Sequence, residues 1–292
     1  MSKRFLSNVY EGHNGWWRYC FVISSVIVFW GVFAYVLTAS SENFLSRLSV
    51  HTLVSEMVSG ALPFLVVIIW LAIAIKGLHR RSFRSLINAE AGIHYRRMGQ
   101  GFVVWTMLMA TWTGIDICCS PHRYQWAFDP SSWFWLLPLS VALVPIKTSA
   151  EELLFRGYLM QGVRLFTKRP LFLLLISGIV FALPHFNNPE MSRGSFLIGA
   201  LNYFFWGVIF AAMTLKDNGL ELSLGVHAAN NLFSYLMVAT PDSVVVTPAL
   251  WTYNAPIDPI MSLVGLLVSG AIFYAIFFSR LRRRTHVSHS SS

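Results

Sequence analysis

Charge is scarce in this chain of 292 residues: Asp, Glu, Lys and Arg together make up 12% of it, with 13 acids against 22 basic residues. An average soluble domain carries roughly 25% charged residues, so the composition excludes an ordinary water-soluble protein. Cysteine is scarcer still. Cys20, Cys118 and Cys119 form neither a disulfide framework nor a CxxC pair, which removes the disulfide-scaffold and cysteine-zinc classes and leaves them as small apolar filler. The chain has no HExxH metalloprotease helix, no fixed-period repeat, and no haem, nucleotide or flavin signature. Its first apolar stretch is longer than a signal-peptide core of roughly 7–15 residues and lacks a small-residue cleavage site, so it reads as an uncleaved span.

What the chain has in abundance is apolar sequence, 55% of all residues. Runs approaching the ~20 residues that cross ~30 Å of hydrocarbon occur at about eight places. They are Tyr19–Ala39, Leu53–Ile75, Gly101–Cys118, Trp133–Ala150 continuing helically through Phe166, Leu171–Phe186, Ser195–Leu215, Leu220–Thr240 and Pro259–Ser279. The expected fold is all-α, a polytopic membrane helix bundle with about eight transmembrane helices. Basic residues cluster in alternate loops: Lys3 and Arg4, the stretch from Lys76 to Arg97, Arg164 to Arg169, Lys216, and Arg280 to Arg284. The intervening loops carry only Arg47, Arg123 and Arg193. Because Lys and Arg concentrate on the cytoplasmic side, both termini are expected there. The same bias, with contact to anionic lipid, accounts for the net charge of +9 without nucleic acid.

Residues 1–284 read as a single integral membrane domain, followed by a His/Ser-rich, disordered cytoplasmic tail at 285–292. The Arg-rich segment Lys76–Gln100 suits a helix lying on the membrane surface. Pro138 and Pro145 are expected to kink the entry to the fourth helix.

Three polar strings interrupt the apolar runs: Glu151-Glu152-x-x-x-Arg156, Phe181-x-x-x-His185 and His227-x-x-x-Asn231. Ionisable groups in hydrocarbon cost several kcal/mol and mark functional sites by default. Glu152 and Arg156, four apart with the acid first, pair within one helix. Glu151 lies ~100° round the cylinder, so the adjacent acids face different partners. The opposing reading is an ion-pair network that only fixes packing. His185 falls near a helix end, since Asn187, Asn188 and Pro189 mark a turn. His227 and Asn231 share a helix face and could donate to an oxyanion, or hydrogen-bond between helices at about 0.6 kcal/mol; Asn230 reads as structural. Counting ~1.5 Å per residue from the basic ends places Glu151, His185, His227 and Asn231 at depths of about 20, 21, 12 and 18 Å, roughly one level.

Two chemistries fit. A desolvated carboxylate is a stronger base than an exposed one, so Glu151 could activate a water held by His185, with His227 and Asn231 stabilising the tetrahedral oxyanion. Alternatively Glu151, His185 and His227 form a two-His, one-carboxylate set for a divalent metal such as zinc. The residues alone leave both open, so a cofactor is either absent or a divalent metal.

In content, order and spacing the three strings resemble the motifs of the CPBP (Abi-like) family, which contains type II CAAX prenyl endopeptidases and bacterial bacteriocin-processing or self-immunity proteins. The motif-bearing core covers about 133–240. The resemblance implies an intramembrane endopeptidase in which Glu151 activates water, His185 positions it, and His227 with Asn231 forms the oxyanion hole, supported by Glu152 and Arg156. The implied partners are the lipid bilayer and a membrane peptide or lipidated protein substrate. The basic loops suit a multi-pass protein of a bacterial inner (plasma) membrane. Two other classes use the same residues differently. A non-enzymatic scaffold or immunity protein would tolerate Glu151→Gln, whereas a proton-coupled transporter would show pH-coupled flux.

Overall fold

The computed structural model describes residues 4–44, 52–90, 92–192, 195–240, 243–255 and 258–279. The tail at 285–292 and the orientation markers Lys3, Arg47, Arg193 and Arg280 to Arg284 lie outside the described residues. Helix dominates, as lipid demands: without water to bond backbone N–H and C=O groups, each spanning segment must satisfy them internally. The helices are α1 (Trp16–Phe44), α2 (Thr52–Gly77), α3 (Tyr95–Cys119), α4 (Pro130–Glu152), α5 (Met160–Val163), α6 (Pro170–Ala182), α7 (Phe196–Asp217), α8 (Glu221–Leu236) and α9 (Pro259–Phe278). Among the described residues six helical stretches are long and apolar enough to cross a membrane. The other two expected spans are α6, of 13 residues, and α8, of 16. Those two short helices carry the histidine motifs. α6 passes into a 3-10 turn at Leu183–His185, where Pro184 removes a backbone donor. The protein is an integral membrane helix bundle whose outer faces present Ile27, Ile69, Met107, Trp135 and Ile272 to lipid.

α8 is the central element. Close packing against α3 depends on glycine: a Cβ on Gly225 would stand 2.0 Å from the Met98 carbonyl, and one on Gly101 would stand 2.6 Å from that of Leu222. Small residues let the two backbones approach, the usual device for membrane helices. Gly207 of α7 meets Gly178 of α6 in the same way. These contacts seal the apolar sides of α8 and leave its polar side toward α4.

At one end of the bundle three short strands form a sheet in the order β1 (Tyr124–Trp126), β3 (Trp251–Tyr253), β2 (Val238–Ala239). β1 pairs antiparallel and β2 parallel to β3. Tyr124 packs on Tyr253 and Trp126 on Trp251 across the ladder. The sheet was not expected from the sequence. It ends α8, because the Leu236 and Met237 carbonyls accept from Leu250 and Trp251 N–H at 3.1 and 2.9 Å.

The opposite, basic end differs from the surface helix expected over Lys76–Gln100. The chain after α2 instead makes a short 3-10 turn, Phe83–Leu86, tucked against the N-terminal turn Phe5–Tyr10 and the α4–α5 segment. Ser85, Leu86 and Asn88 are buried there. Polar side chains supply the reason: Arg81 donates to the Asn8 carbonyl and Gln161, while the Asn8 amide donates to the Ser85 and Asn88 carbonyls. A helix lying free on the membrane surface would forgo these bonds.

His79 closes this cluster, with no surface exposed. Its Nδ1 donates to the His13 carbonyl at 2.8 Å and its Nε2 accepts from the Tyr158 hydroxyl at 2.8 Å. Burial is the main cause that pushes the imidazole down from its ordinary 6.5 to about 4. Between those values the unfolded chain binds a proton that the folded chain refuses, so stability falls as pH drops from 6.5 and the loss levels off below 4. The full effect is on the order of 3 kcal/mol. Thermal unfolding at pH 7 and pH 4.5 should therefore show a smaller acid-induced drop for His79→Asn than for the wild type.

Candidate active site

The first motif sits where helix geometry changes. α4 runs through both internal prolines to Glu152, and the chain then adopts π-helix over Leu153–Leu159 before α5 resumes regular α geometry. The expected helical continuation is present, with this widened turn inside it. Such π turns occur often at functional sites. Gly157 lets the widened turn meet the basic-end segment, where a Cβ would stand 2.7 Å from the Leu86 carbonyl.

The two glutamates separate as their angular spacing implies. Glu152 is fully buried, and its Oε1 accepts from both Arg156 Nη1 and His227 Nδ1, each at 2.9 Å. Glu151 retains 16% of its side-chain exposure, and its Oε2 lies 3.7 Å from His227 Nε2. One acid is committed to structure while the other remains open. Arg156 is buried over the rings of Phe181 and Phe210, at 4.2 and 4.8 Å, and its Nη2 donates to the Gly207 carbonyl at 3.4 Å. The aromatic faces attract the guanidinium where lipid offers no solvation.

The Glu152 contact orients His227. An ionised carboxylate only accepts, so Nδ1 carries a hydrogen and Nε2 turns toward Glu151. Phe210 stacks on the imidazole with centroids 4.7 Å apart and 22° between planes. One turn on, Asn231 Oδ1 accepts from the Asn230 amide at 3.2 Å, leaving the Asn231 NH₂ to donate. Asn230 accepts from Trp105 Nε1 at 3.4 Å, a structural tie to α3.

His185 arrives from the 3-10 turn after α6. Its Nδ1 donates to the Phe181 carbonyl at 2.7 Å, so Nε2 holds a free lone pair. Tyr203 stacks on the ring at 4.2 Å and 25°, and the Tyr203 hydroxyl is held by Glu190 and Asn188. The Phe-x-x-x-His spacing thus has a dual use: the Phe181 backbone fixes His185 while its ring covers Arg156.

The zinc-type alternative was tested on the same side chains. Zinc holds nitrogen and oxygen ligands at about 2.0–2.2 Å. Two ligands on one tetrahedral zinc then stand about 3.3–3.5 Å apart, close to the 3.7 Å between Glu151 Oε2 and His227 Nε2, and the Glu152 carboxylate on His227 Nδ1 is the partner that a zinc-bound imidazole ordinarily has. Among the described residues no three His, Cys, Asp or Glu side chains converge to hold a metal. Glu151 and His227 suit a shared metal, while His185 is not grouped with them as a third ligand.

Of the six expected residues, Glu151, Glu152, Arg156 and His227 meet where α4 and α8 pack, Phe181 links His185 to Arg156, and Asn231 stands one turn from His227 on α8. The structure adds Phe210 and Tyr203, which no linear motif marks because each is one aromatic among many in an apolar run. It also adds Lys147, a lone cation inside the fourth span that was visible in the sequence.

Comparison with known proteins follows the same lines. The family model described as type II CAAX prenyl endopeptidase Rce1-like matches residues 130–233. The uncharacterized protein YyaK of Bacillus subtilis (strain 168) is 35% identical over 247 residues, which cover 80% of this chain and 82% of that one. No solved structure matches.

Proposed function

The chain belongs to the Rce1-like family of type II CAAX prenyl endopeptidases, a protease family, and from this and the site geometry we propose that it is an intramembrane endopeptidase acting on membrane-associated or lipidated substrates. The observation that carries the reading is the division of labour between adjacent acids. Glu152 is bound to Arg156 and His227, whereas Glu151 stays partly open and faces His227 Nε2.

In the proposed reaction a water donates one hydrogen to Glu151 and the other to the His185 Nε2 lone pair. Its oxygen attacks the scissile carbonyl as Glu151 takes the proton. The resulting oxyanion accepts from the Asn231 NH₂ and from His227 Nε2–H. An Nε2 donor requires the doubly protonated ring, and with it the charges of Glu151, Glu152, Arg156 and His227 cancel. The proton held by Glu151 passes to the departing nitrogen as the C–N bond breaks, leaving a carboxylic acid and an amine. The basic end faces the cytoplasm in this reading, with the protein in a bacterial inner membrane.

The test is cleavage of a lipidated or membrane-spanning peptide by the purified protein, its Glu151→Gln and His185→Ala variants, and the wild type with chelator. Product from the wild type alone, undiminished by chelator, is the expected result. Equal product from all three proteins overturns the assignment.

A further inference from the structure

Lys147 is a cation with no acidic partner in the middle of a membrane span. It stands near the midpoint of the 34-residue apolar stretch Pro130–Val163. Among the described residues its ammonium makes no ion pair. It donates to the Tyr235 hydroxyl at 3.2 Å and lies 5.6 and 5.7 Å from the ring centres of Phe64 and Tyr235. A charge kept inside an apolar span is a functional group by default.

Its place relative to the site gives that charge a purpose. Lys147 precedes Glu151 by four residues and shares its helix face, while Tyr235 follows Asn231 by four on α8 and shares the face of His227 and Asn231. The contact between α4 and α8 therefore has two levels. At one level Glu151 faces His227; one turn nearer the sheet end, Lys147 faces Tyr235. The turn is about 5.4 Å, one to two residues of extended peptide at ~3.3–3.6 Å each. Both side chains are half-buried and keep part of their surface open to a peptide. An ammonium beside a phenolic hydroxyl matches a carboxylate, which accepts hydrogen bonds from both and supplies the missing negative charge.

We propose that Lys147 and Tyr235 form an anion subsite that binds a carboxylate of the substrate, one turn of helix from the scissile bond on the sheet-end side. The assignment rests on the endopeptidase reading above for the identity of its ligand. A carboxylate can come from the substrate's C-terminus or from an acidic side chain, and the chemistry at Lys147 is the same.

The test is binding of a fluorescein-labelled apolar hexapeptide of Leu, Val and Phe, made as the free acid, as the C-terminal amide, and as the amide with one internal Glu. Fluorescence polarisation is read with the full chain in nanodiscs carrying Glu151→Gln, so that no peptide is consumed. Expected is at least tenfold tighter binding of the free acid than of the plain amide, erased by adding Lys147→Met and kept with Lys147→Arg. The same pattern for the internal-Glu peptide alone assigns the subsite to an acidic side chain. An acid-to-amide ratio unchanged by Lys147→Met overturns the proposal, as does equal binding of all three peptides. A Lys147 that only supports packing or the field at Glu151 shifts all three peptides together and leaves the ratio unchanged. Absence of cleavage by the wild type counts against the endopeptidase reading alone, because the binding ratios are read without turnover.

Discussion

Replacing Glu151 by Gln should lower turnover about 10³-fold, within the range for a positioned general base, while leaving the thermal unfolding midpoint within a degree or two. The asymmetry follows from the surroundings of the side chain. Glu151 is the partly exposed acid, and its Oε2 lies 3.7 Å from His227 Nε2. An amide of the same shape fills that space and leaves Glu152, Arg156 and their bonds untouched, so folding loses little. Proton acceptance is lost outright, because an uncharged amide oxygen is far too weak a base to take a proton from water. Hydrolysis of a lipidated peptide under single-turnover conditions, beside a melting curve, checks both halves. A variant that still turns over at the wild-type rate would remove Glu151 from the chemistry. A variant that fails to fold would move it into the structural class with Glu152.

The second large effect is on stability. Arg156→Met should destabilise the protein by about 3–5 kcal/mol, the usual consequence of stripping a buried charge of its partner. Glu152 has no exposed surface and would keep its carboxylate among Phe181, Phe210 and the α4–α8 interface without the guanidinium that now donates to it at 2.9 Å. The double change Glu152→Gln with Arg156→Met removes both charges and should recover much of that loss, since a buried ion pair is frequently replaceable by neutral groups of similar volume. Activity should not return with stability, because His227 would lose the carboxylate that orients Nδ1. Chemical denaturation of the two single variants and the double variant closes the cycle. Additive losses in the cycle would mean that the pair contributes nothing as a pair.

Much of this protein was written in the order of its residues. Apolar runs of membrane length forced helices, because lipid offers backbone groups no other partner. The four-residue spacing of Glu152 and Arg156, and of His227 and Asn231, put each pair on one helix face before any tertiary contact was considered. The offset of Glu151 from Glu152 already implied different partners, which the structure supplies as His227 Nε2 for one and Arg156 with His227 Nδ1 for the other. Local periodicity carries such information because a helix converts sequence distance directly into direction.

Long-range relations were not encoded that way. That His227 meets Glu152 through Nδ1 is a contact between α4 and α8, and the packing of α8 includes its close approach to α3 at Gly225 and Gly101. The cover of Arg156 by Phe181 and Phe210 brings together three helices whose aromatic residues look alike in sequence. The segment after α2 was read as a surface helix from its arginines, yet Arg81 turns inward because Asn8 and Gln161, far along the chain, offer it acceptors. The π turn at Leu153–Leu159 and the sheet joining Tyr124–Trp126 to Trp251–Tyr253 likewise exist only through their neighbours. The sequence by itself determined that the chain enters a membrane as helices and which residues share a helix face, since both follow from transfer energies and a fixed helical repeat. Only the tertiary structure decided which face meets which, because that depends on packing between segments far apart in sequence, where one small residue or one hydrogen-bond acceptor sets the rotation of a whole helix.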